Sequence, residues 1–218
     1  MILSDIQIRE ANSEGRISID PFEDSQLQSA SYDLRVGAQG ATTSSKKIVD
    51  IRHDGYFLMK PGDFAIVTSL EILNFDNCHV GRIGLRSKYA RKGITATTGL
   101  QIDPGFRGRL TVGLYNLSPK QISLPFKDDL LSIEIHRLEE PCRKEYSGPF
   151  QGKLELGPSD IEAIVENDSM THSEMLTMLS SLSRNVGELS NDVKTMKWII
   201  PLIVSFGIAV IAVLVKFS

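Results

Sequence analysis

Seven cationic side chains are concentrated within residues 81–109, where Asp103 is the one acidic residue that accompanies them. These cations are Arg82, Arg86, Lys88, Arg91, Lys92, Arg107 and Arg109. Guanidinium groups bind phosphate oxygens through two parallel hydrogen bonds, and the start of a helix adds backbone donors. Since the whole chain has a net charge of -3, the cluster predicts a local anion site and no nucleic-acid partner. A solvated basic face that rests on lipid headgroups is the alternative.

Short runs rich in β-branched and aromatic residues fill the first two thirds of the chain, and turn residues separate them. The strand-like runs are residues 17–19, 32–36, 56–59, 64–70, 110–115 and 130–138. A short helix precedes them, because Ser4 and Gln7 form a capping box and Gly15 ends the pattern. A second helix is predicted over residues 86–92, where Gly93 ends it. The pattern is typical of a mainly β sandwich or barrel-like domain.

The composition of the chain changes after residue 153. We predict a linker over residues 154–172, with a short helix that begins at a capping box of Ser159 and Glu162. Apolar residues then recur at spacings of three and four through residues 173–197, which predicts an amphipathic or coiled-coil stalk. The apolar seam consists of Leu179, Leu182, Val186, Leu189, Val193 and Met196. A helix that lies on the bilayer or on the domain is the alternative.

Residues 198–215 carry no charge and form an apolar segment that only Ser205 and Gly207 interrupt. At about 1.5 Å per residue such a helix reaches roughly 27 Å, close to a hydrocarbon core of about 30 Å. A core helix, the alternative, usually carries a polar stripe. We therefore expect a single-pass C-terminal membrane anchor. Lysines before this segment outnumber those after it, which favours a soluble domain that faces the cytoplasm.

The two cysteines, Cys78 and Cys142, lie far apart in a chain that we expect to face the cytoplasm. Reducing conditions there keep thiols free, so no disulfide is predicted. Residues 1–153 are long enough to form one domain with its own core.

Three motifs occur in a fixed order through the predicted β domain. They are Ala-Ser-Tyr-Asp-Leu-Arg-Val-Gly at residues 30–37, Arg86 and Ser87 followed by Arg91 and Gly93, and Gly-Leu-Gln-Ile-Asp-Pro-Gly-Phe-Arg-Gly at residues 99–108. With these motifs the chain resembles the dCTP deaminase and trimeric dUTPase superfamily. Its opening residues 1–37 look like the deaminase branch. Residues 146–153, called the lid-like segment below, are similar to the mobile C-terminal lid of that family.

The resemblance implies a jelly-roll-like dUTPase or dCTP deaminase fold that forms a homotrimer. Each site would lie between subunits and bind a deoxynucleoside triphosphate with Mg2+. Asp103 would lie near the sugar or position the attacking water, and Phe106 would pack against the deoxyribose or simply in the core. Asp33 would lie near the metal without binding it directly, or would be structural. The valine and leucine pattern of the stalk favours a coiled coil of two helices. We expect the trimer interface of the β domain to outweigh this preference, so that the protein has three subunits.

The remaining residues that the resemblance assigns to nucleotide binding are mostly cationic. Arg86 and Ser87 would bind phosphates, and Arg91 would lie beside the base or the phosphates. The lid-like segment would contribute Gln151 and Lys153.

Two positions depart from the pattern of this superfamily. Deaminases carry a glutamate ten residues after the motif aspartate as the proton shuttle for attack of water on cytosine, and that position is Gly113 here. Acid–base catalysis typically contributes about 10²–10⁴-fold, so deamination should be impaired unless Glu134 or another carboxylate substitutes. Lys88 replaces a small residue at the phosphate turn, where it adds a phosphate contact or fills the pocket. A zinc deaminase is excluded, since Cys142 is followed by Arg-Lys-Glu where the Pro-Cys-x-x-Cys motif needs a second cysteine.

Three functions remain open from the sequence. The favoured one is a membrane-anchored pyrophosphohydrolase that acts on dUTP or a related pyrimidine triphosphate, with Asp103 as the catalytic carboxylate. The second is a catalytically reduced nucleotide sensor that signals to or perturbs the membrane, as a stress or phage-defence effector would. The third is a dCTP deaminase that uses a non-standard base.

Overall fold

Antiparallel strands form most of the regular secondary structure of Met1–Thr171, the first of two units in the computed structural model; the second is His172–Ser218. The structure describes residues 1–167, 180–189, 194, 196 and 197. The strands are β1 Ile17–Asp20, β2 Leu27–Gln28, β3 Ser31–Thr42, β4 Val49–Asp50, β5 Tyr56–Met59, β6 Phe64–Phe75, β7 His79–Leu85, β8 Ile94–Ala96, β9 Gln101–Ile102, β10 Arg107–Asn116, β11 Ile122–Pro125 and β12 Asp129–Arg137. The helices are α1 Asp5–Ser13, α2 Ile51–Asp54, α3 Ser87–Ala90 and α4 Pro158–Glu166. The prediction of a mainly β domain is confirmed.

One antiparallel sheet runs in the order β8-β10-β6-β3-β12-β7-β9, with β1 paired to β6 and both β2 and β4 paired to β3. Strands β5 and β11 form a separate pair. Along β6, residues 65–69 pair with β3 and residues 72–75 pair with β1, while β10 accompanies both stretches on the other edge. Strand β6 therefore joins the N-terminal part of the chain to the part that carries the predicted site.

Local signals account for the two helices predicted before residue 100. The Ser4 side chain accepts from the Gln7 N–H at 3.5 Å and the Gln7 side chain accepts from the Ser4 N–H at 3.0 Å, which confirms the capping box. The helix predicted over residues 86–92 is shorter, because α3 is a single turn. Arg86 still has the extended ψ of 134° of a chain that arrives from β7, and Gly93, with φ of 93°, follows the turn.

The hydrophobic core packs against one face of the main sheet, and one face of β10 contributes to it. Leu110, Val112 and Leu114 alternate along that strand and are buried. They share one apolar cluster with Leu34 of β3 and Leu73 of β6. The intervening residues of β10 face the other way, which leaves that side of the strand available for a site.

Helix α4 packs on the β domain, within the region predicted as a linker. Its start differs from the predicted capping box of Ser159 and Glu162: Gly157 precedes the helix and donates its N–H to Asp160 Oδ2 at 2.7 Å. Pro158 occupies the first helical position, where its missing N–H is not needed. Ile164 is fully buried in a small apolar cluster with β3 and β6 residues, so α4 belongs to the first unit.

In the second unit, residues 180–189 are helical. Leu182, Val186 and Leu189 of the predicted seam are exposed on this helix. Leu179, Val193 and the predicted span 198–215 lie outside the described residues. Among the helices that the structure describes, none has the length and hydropathy to cross a bilayer. The coiled coil and the anchor stay predictions.

Substitution of Leu114 tests its assignment to the buried face of β10. Leu114→Ala should lower the free energy of unfolding by about 2–5 kcal/mol, because it leaves a cavity at a residue that is 0% exposed. Leu117→Ala, at a position that is 72% exposed, should change it by less than about 0.5 kcal/mol. Urea unfolding followed by far-ultraviolet circular dichroism measures both. Equal effects of the two variants would contradict the assignment.

Candidate functional site

A cavity of about 620 Å³ opens beside the outward face of β10. Its walls come from β10, the turn around Asp103, the lid-like segment and α4. Polar lining residues include Thr98, Gln101, Asp103, Arg109, Thr111, Lys153 and Asp160, and aromatic ones include Phe64, Phe106, Tyr146 and Phe150. Small-molecule sites are typically about 300–1,000 Å³, mostly apolar and equipped with a few polar groups, so this cavity has the properties of a ligand site.

Gly113 lies in the β10 wall of the cavity. Because side chains alternate along the strand, Thr111 and Gly113 face the cavity while Val112 enters the core. The Gly113 N–H donates to Thr98 Oγ1 at 2.6 Å, and its carbonyl accepts from the Thr97 N–H at 2.9 Å. A Cβ atom at position 113 would overlap with the Thr97 hydroxyl oxygen. The loop after β8 thus closes over the place where a side chain of residue 113 would begin.

Asp103 lies in the turn that precedes β10. Its Oδ1 accepts a hydrogen bond from Gln101 Nε2 at 2.6 Å, and its backbone carbonyl accepts from the Phe106 N–H at 3.2 Å. Phe106 is 5% exposed, and its ring meets the Tyr146 ring edge-on at 5.6 Å between centroids. Asp103 and Phe106 therefore line the same cavity, and Phe106 packs in the core as well.

The lid-like segment is hydrogen-bonded to the start of β10. The Gly152 N–H donates to the Arg107 carbonyl at 2.7 Å, and the Arg109 N–H donates to the Lys153 carbonyl at 2.8 Å. Gln151 Oε1 accepts from the Arg107 N–H at 2.9 Å. This short ladder places Lys153 at the cavity, whereas Gln151 faces a second, polar cavity together with Arg107.

Acidic partners bind two of the predicted phosphate-binding cations. Arg86 Nη1 lies 2.7 Å from Asp33 Oδ2, and Lys88 Nζ lies 2.6 Å from Asp128 Oδ1. The Tyr89 hydroxyl also donates to Asp128. Burial raises the pKa of Asp33, against the opposing effect of Arg86. Burial also acts to raise the pKa of Asp128, but hydrogen bonds from Lys88 and Tyr89 outweigh it and lower that pKa.

The structure brings one part of the predicted site together and leaves another apart. Asp103, Phe106 and Lys153 share the cavity. The residues predicted to bind phosphate on and beside α3 lie away from its walls; they are Arg86, Ser87, Lys88 and Arg91. Asp33 belongs to this second group, because it forms an ion pair with Arg86. A single chain thus carries two separate groups of predicted site residues.

The donor set does not form a cage for Mg2+. Within the described part of the chain, no three His, Cys, Asp or Glu side chains lie close enough to hold a metal ion. The Asp33 carboxylate is 1% exposed and is bound by Arg86 and by Gln28 Nε2 at 3.1 Å. These contacts make Asp33 the counter-ion of Arg86, and its indirect role near a metal stays a prediction.

A family model described as DCD, dCTP deaminase-like, matches residues 2–130. The chain belongs to this family. It is similar to the dCTP deaminase of Pyrococcus horikoshii, with 36% identity over 156 residues that cover 72% of this chain and 95% of the relative. It is also similar to the dUMP-forming dCTP deaminase of Aquifex aeolicus, with 30% identity over 171 residues, 74% of this chain and 95% of the relative.

Among solved structures, the fold is similar to that of 2'-deoxycytidine 5'-triphosphate deaminase from Agrobacterium tumefaciens, with a TM-score of 0.52 and 20% identity. This match covers 63% of the present chain and 47% of that protein, so the chain spans about half the length of this solved relative. At this identity the likeness concerns the fold. The family assignment rests on the sequence matches, and the family model itself ends before the lid-like segment and α4.

Several lining residues of this family member were not predicted from the sequence, namely Thr98, Thr111 and Asp160. Thr111 could have been found, because period-two alternation places it on the same strand face as Gly113. Thr98 lies on a loop and Asp160 on α4, and tertiary packing alone brings both to the cavity. The partner of Lys88 was missed for the same reason, since Asp128 is 40 residues away in sequence.

Asp128 should stabilise the turn that carries Lys88. We expect Asp128→Asn to lower the free energy of unfolding by about 1–3 kcal/mol at pH 7, because Lys88 loses its anion and the Tyr89 hydroxyl loses a charged acceptor. The pKa of Asp128 is lower in the folded protein than the ordinary aspartate value of about 3.9. The stabilisation by Asp128 is therefore fully present above about pH 3.9, and it is lost as the pH falls through the folded-state pKa. Urea unfolding of both proteins between about pH 3 and about pH 7 measures the difference.

The matched control for this prediction is Asp129→Asn, which removes the adjacent carboxylate and leaves the contacts of Lys88 and Tyr89 in place. It should change the free energy of unfolding by less than about 0.5 kcal/mol. A loss of equal size in both variants would mean that the Asp128 contacts do not stabilise the turn.

Proposed function

We propose that this protein binds a deoxynucleoside triphosphate and hydrolyses dUTP or a related pyrimidine triphosphate to the monophosphate and pyrophosphate. The observation that carries the proposal is the combination of Asp103 and Gly113 in one cavity. Phosphoryl transfer needs positioned cations and one group that orients water, which Asp103 can provide. Attack on a nucleobase needs an acid–base group at the ring, and Gly113 offers none.

In this proposal Asp103 accepts a hydrogen bond from a water molecule and directs the water oxygen at the α-phosphorus. A new P–O bond forms, the bond from the α-phosphorus to the bridging oxygen breaks, and pyrophosphate leaves. Asp103 takes a proton from the water and returns it to solvent. Phe106 and Tyr146 supply an apolar wall against which a deoxyribose fits.

The phosphate-binding half of the site is proposed to come from a second copy of the chain. Arg86, Ser87, Lys88 and Arg91 lie away from the cavity of their own chain, so a neighbouring subunit would have to present them. A homotrimer with sites between subunits, as the superfamily resemblance implies, meets this requirement. Incoming phosphates would compete with Asp33 and Asp128 for Arg86 and Lys88.

Magnesium is proposed to arrive with the triphosphate. Mg2+ usually keeps several waters and binds substrate phosphates, so it does not need a cage of protein carboxylates. Bound in that way, it would supply positive charge to the phosphate oxygens.

Residues 173–197 are proposed to form a stalk and residues 198–215 a membrane anchor, with the nucleotide-binding domain in the cytoplasm. The uncharged segment and the apolar seam in the sequence support this proposal. If the site binds nucleotides without turnover, the protein would act as a sensor at the membrane. Flotation of the full chain with liposomes tests the anchor, and leakage that depends on nucleotide would favour the sensor.

Replacement of Asp103 tests the hydrolase directly. Asp103→Asn should lower pyrophosphate release from dUTP in the presence of Mg2+ by about 10²-fold or more, with nucleotide affinity changed only a few-fold, because the amide cannot take the proton from water. Glu134→Gln is the control, since Glu134 is exposed on β12 and does not line the cavity. The hydrolase would be refuted if Asp103→Asn released pyrophosphate as fast as the wild type. It would also be refuted if the wild type bound nucleotides and released no pyrophosphate.

Deamination of dCTP is the second candidate function, because the curated relatives named above are dCTP deaminases. Ammonia release from dCTP separates it from hydrolysis. We expect none from the native chain and little from Gly113→Glu, because the Thr97 hydroxyl occupies the space next to position 113. Thr97→Ala combined with Gly113→Glu should release more. Ammonia release by the native chain that Glu134→Gln abolishes would instead identify Glu134 as the base.

A further inference from the structure

The cavity contains an ion pair, Lys153–Asp160, that neither the sequence motifs nor the proposed function explains. Lys153 Nζ lies 2.6 Å from Asp160 Oδ1 and 2.7 Å from Oδ2. The lysine side chain is 16% exposed and the aspartate side chain 7%. Asp160 Oδ2 also accepts the Gly157 N–H at 2.7 Å, so this one carboxylate binds a cation and caps the start of α4.

The pair connects the two elements that cover the cavity. Lys153 ends the lid-like segment, and its carbonyl is fixed by the Arg109 N–H. Asp160 lies in the first turn of α4, whose Ile164 and Ala163 pack against Phe64 and Ile66. Apart from a hydrogen bond from the Tyr115 hydroxyl to Asn167 at the end of the helix, the contacts of α4 with the sheet are largely apolar, and the ion pair connects α4 to the lid-like segment.

We propose that Asp160 is a positioning residue of the site: it holds the Lys153 ammonium at the cavity wall, and the phosphate oxygens of a bound polyanion compete with it for that ammonium. The identity of the polyanion as a nucleotide rests on the proposed function. The competition itself rests on the geometry of the pair.

The charges around the cavity support this competition. Of the cations that line it within residues 1–167, Arg109 is turned to the carbonyls of Ser69 and Leu70, whereas Lys153 is bound to a carboxylate. A polyanion that approaches Lys153 also approaches Asp160, and two like charges around one ammonium repel each other. Low exposure keeps this repulsion from being screened by water and salt.

Ligand binding and the docking of α4 on the sheet are then thermodynamically linked. A ligand that weakens the Lys153–Asp160 contact weakens the docking of α4, and loosening of α4 by other means must strengthen ligand binding by the same factor. Occupancy of the cavity would thus be read out at α4, the last helix described in the first unit.

The test uses the full chain, with two probes in the presence of Mg2+: a dUTP analogue with an imido bridge between the α- and β-phosphates, which the proposed reaction cannot cleave and which serves as the dUTP probe, and inorganic tripolyphosphate. Hydrogen exchange of the α4 amides and equilibrium binding are measured together. In the wild type, saturation with either probe should accelerate α4 exchange by about threefold or more. In Asp160→Asn, α4 should exchange rapidly without a probe, and tripolyphosphate should bind about fivefold tighter or more, because the competitor for Lys153 is gone.

Asparagine keeps an oxygen that can accept the Gly157 N–H, so Asp160→Asn separates the ion pair from the cap. Glu162→Gln makes the same change of charge on the exposed side of α4 and should alter neither readout. A purely structural role for Asp160 would leave tripolyphosphate affinity unchanged or lower it. If Asp160→Asn does not fold, the exchange of α4 in the wild type with and without probe decides alone.

The outcomes separate this inference from the proposed function. Preferential dUTP binding with unchanged α4 exchange would overturn the role of Asp160 and leave the nucleotide site standing. Faster α4 exchange with tripolyphosphate, and no preference for dUTP over it, would support the role of Asp160 and refute the nucleotide. Failure of both probes to bind would overturn the inference.

Discussion

The alternation of side chains along β10 is the constraint on which both the core and the cavity depend. One face of the strand carries Leu110, Val112 and Leu114 into the core, and the other presents Thr111 and Gly113 to the cavity. A shift of one residue in the pairing with β6 would exchange these faces. Backbone pairing with β6 on one edge and with β8 on the other holds the register, so stability and site geometry derive from the same hydrogen bonds.

Electrostatic pairing explains how a locally basic stretch is accommodated in an acidic protein. The cations on and beside α3 look unopposed along the chain, yet Asp33 and Asp128 approach from elsewhere and bind Arg86 and Lys88. Such pairs keep the cations ordered, and a more highly charged ligand can displace a single carboxylate. The family assignment and this arrangement together favour a phosphate ligand over the alternative of a solvated basic face.

The C-terminal edge of the β domain is more integrated than a flexible lid and linker would be. Hydrogen bonds to Arg107 and Arg109 fix the lid-like segment, and α4 covers the cavity through Asp160 and Ala163. Helix α4 begins after Gly157, with Pro158 at its first position, and this start places the Asp160 carboxylate beside Lys153. The cavity wall is thus built from chain beyond the part that the family model matches.

The amino-acid sequence alone was sufficient for the mainly β class, the capping box of α1 and the family, because each depends on short-range patterns or on motifs. It also singled out Asp103 and Phe106, which the structure places at one cavity. It also reveals the glycine at position 113. Only the tertiary structure decided that Thr97 and Thr98 close over that glycine, that Asp128 pairs with Lys88, and that Asp160 reaches Lys153. These contacts depend on how loops and α4 pack against distant strands, and no local periodicity encodes that packing.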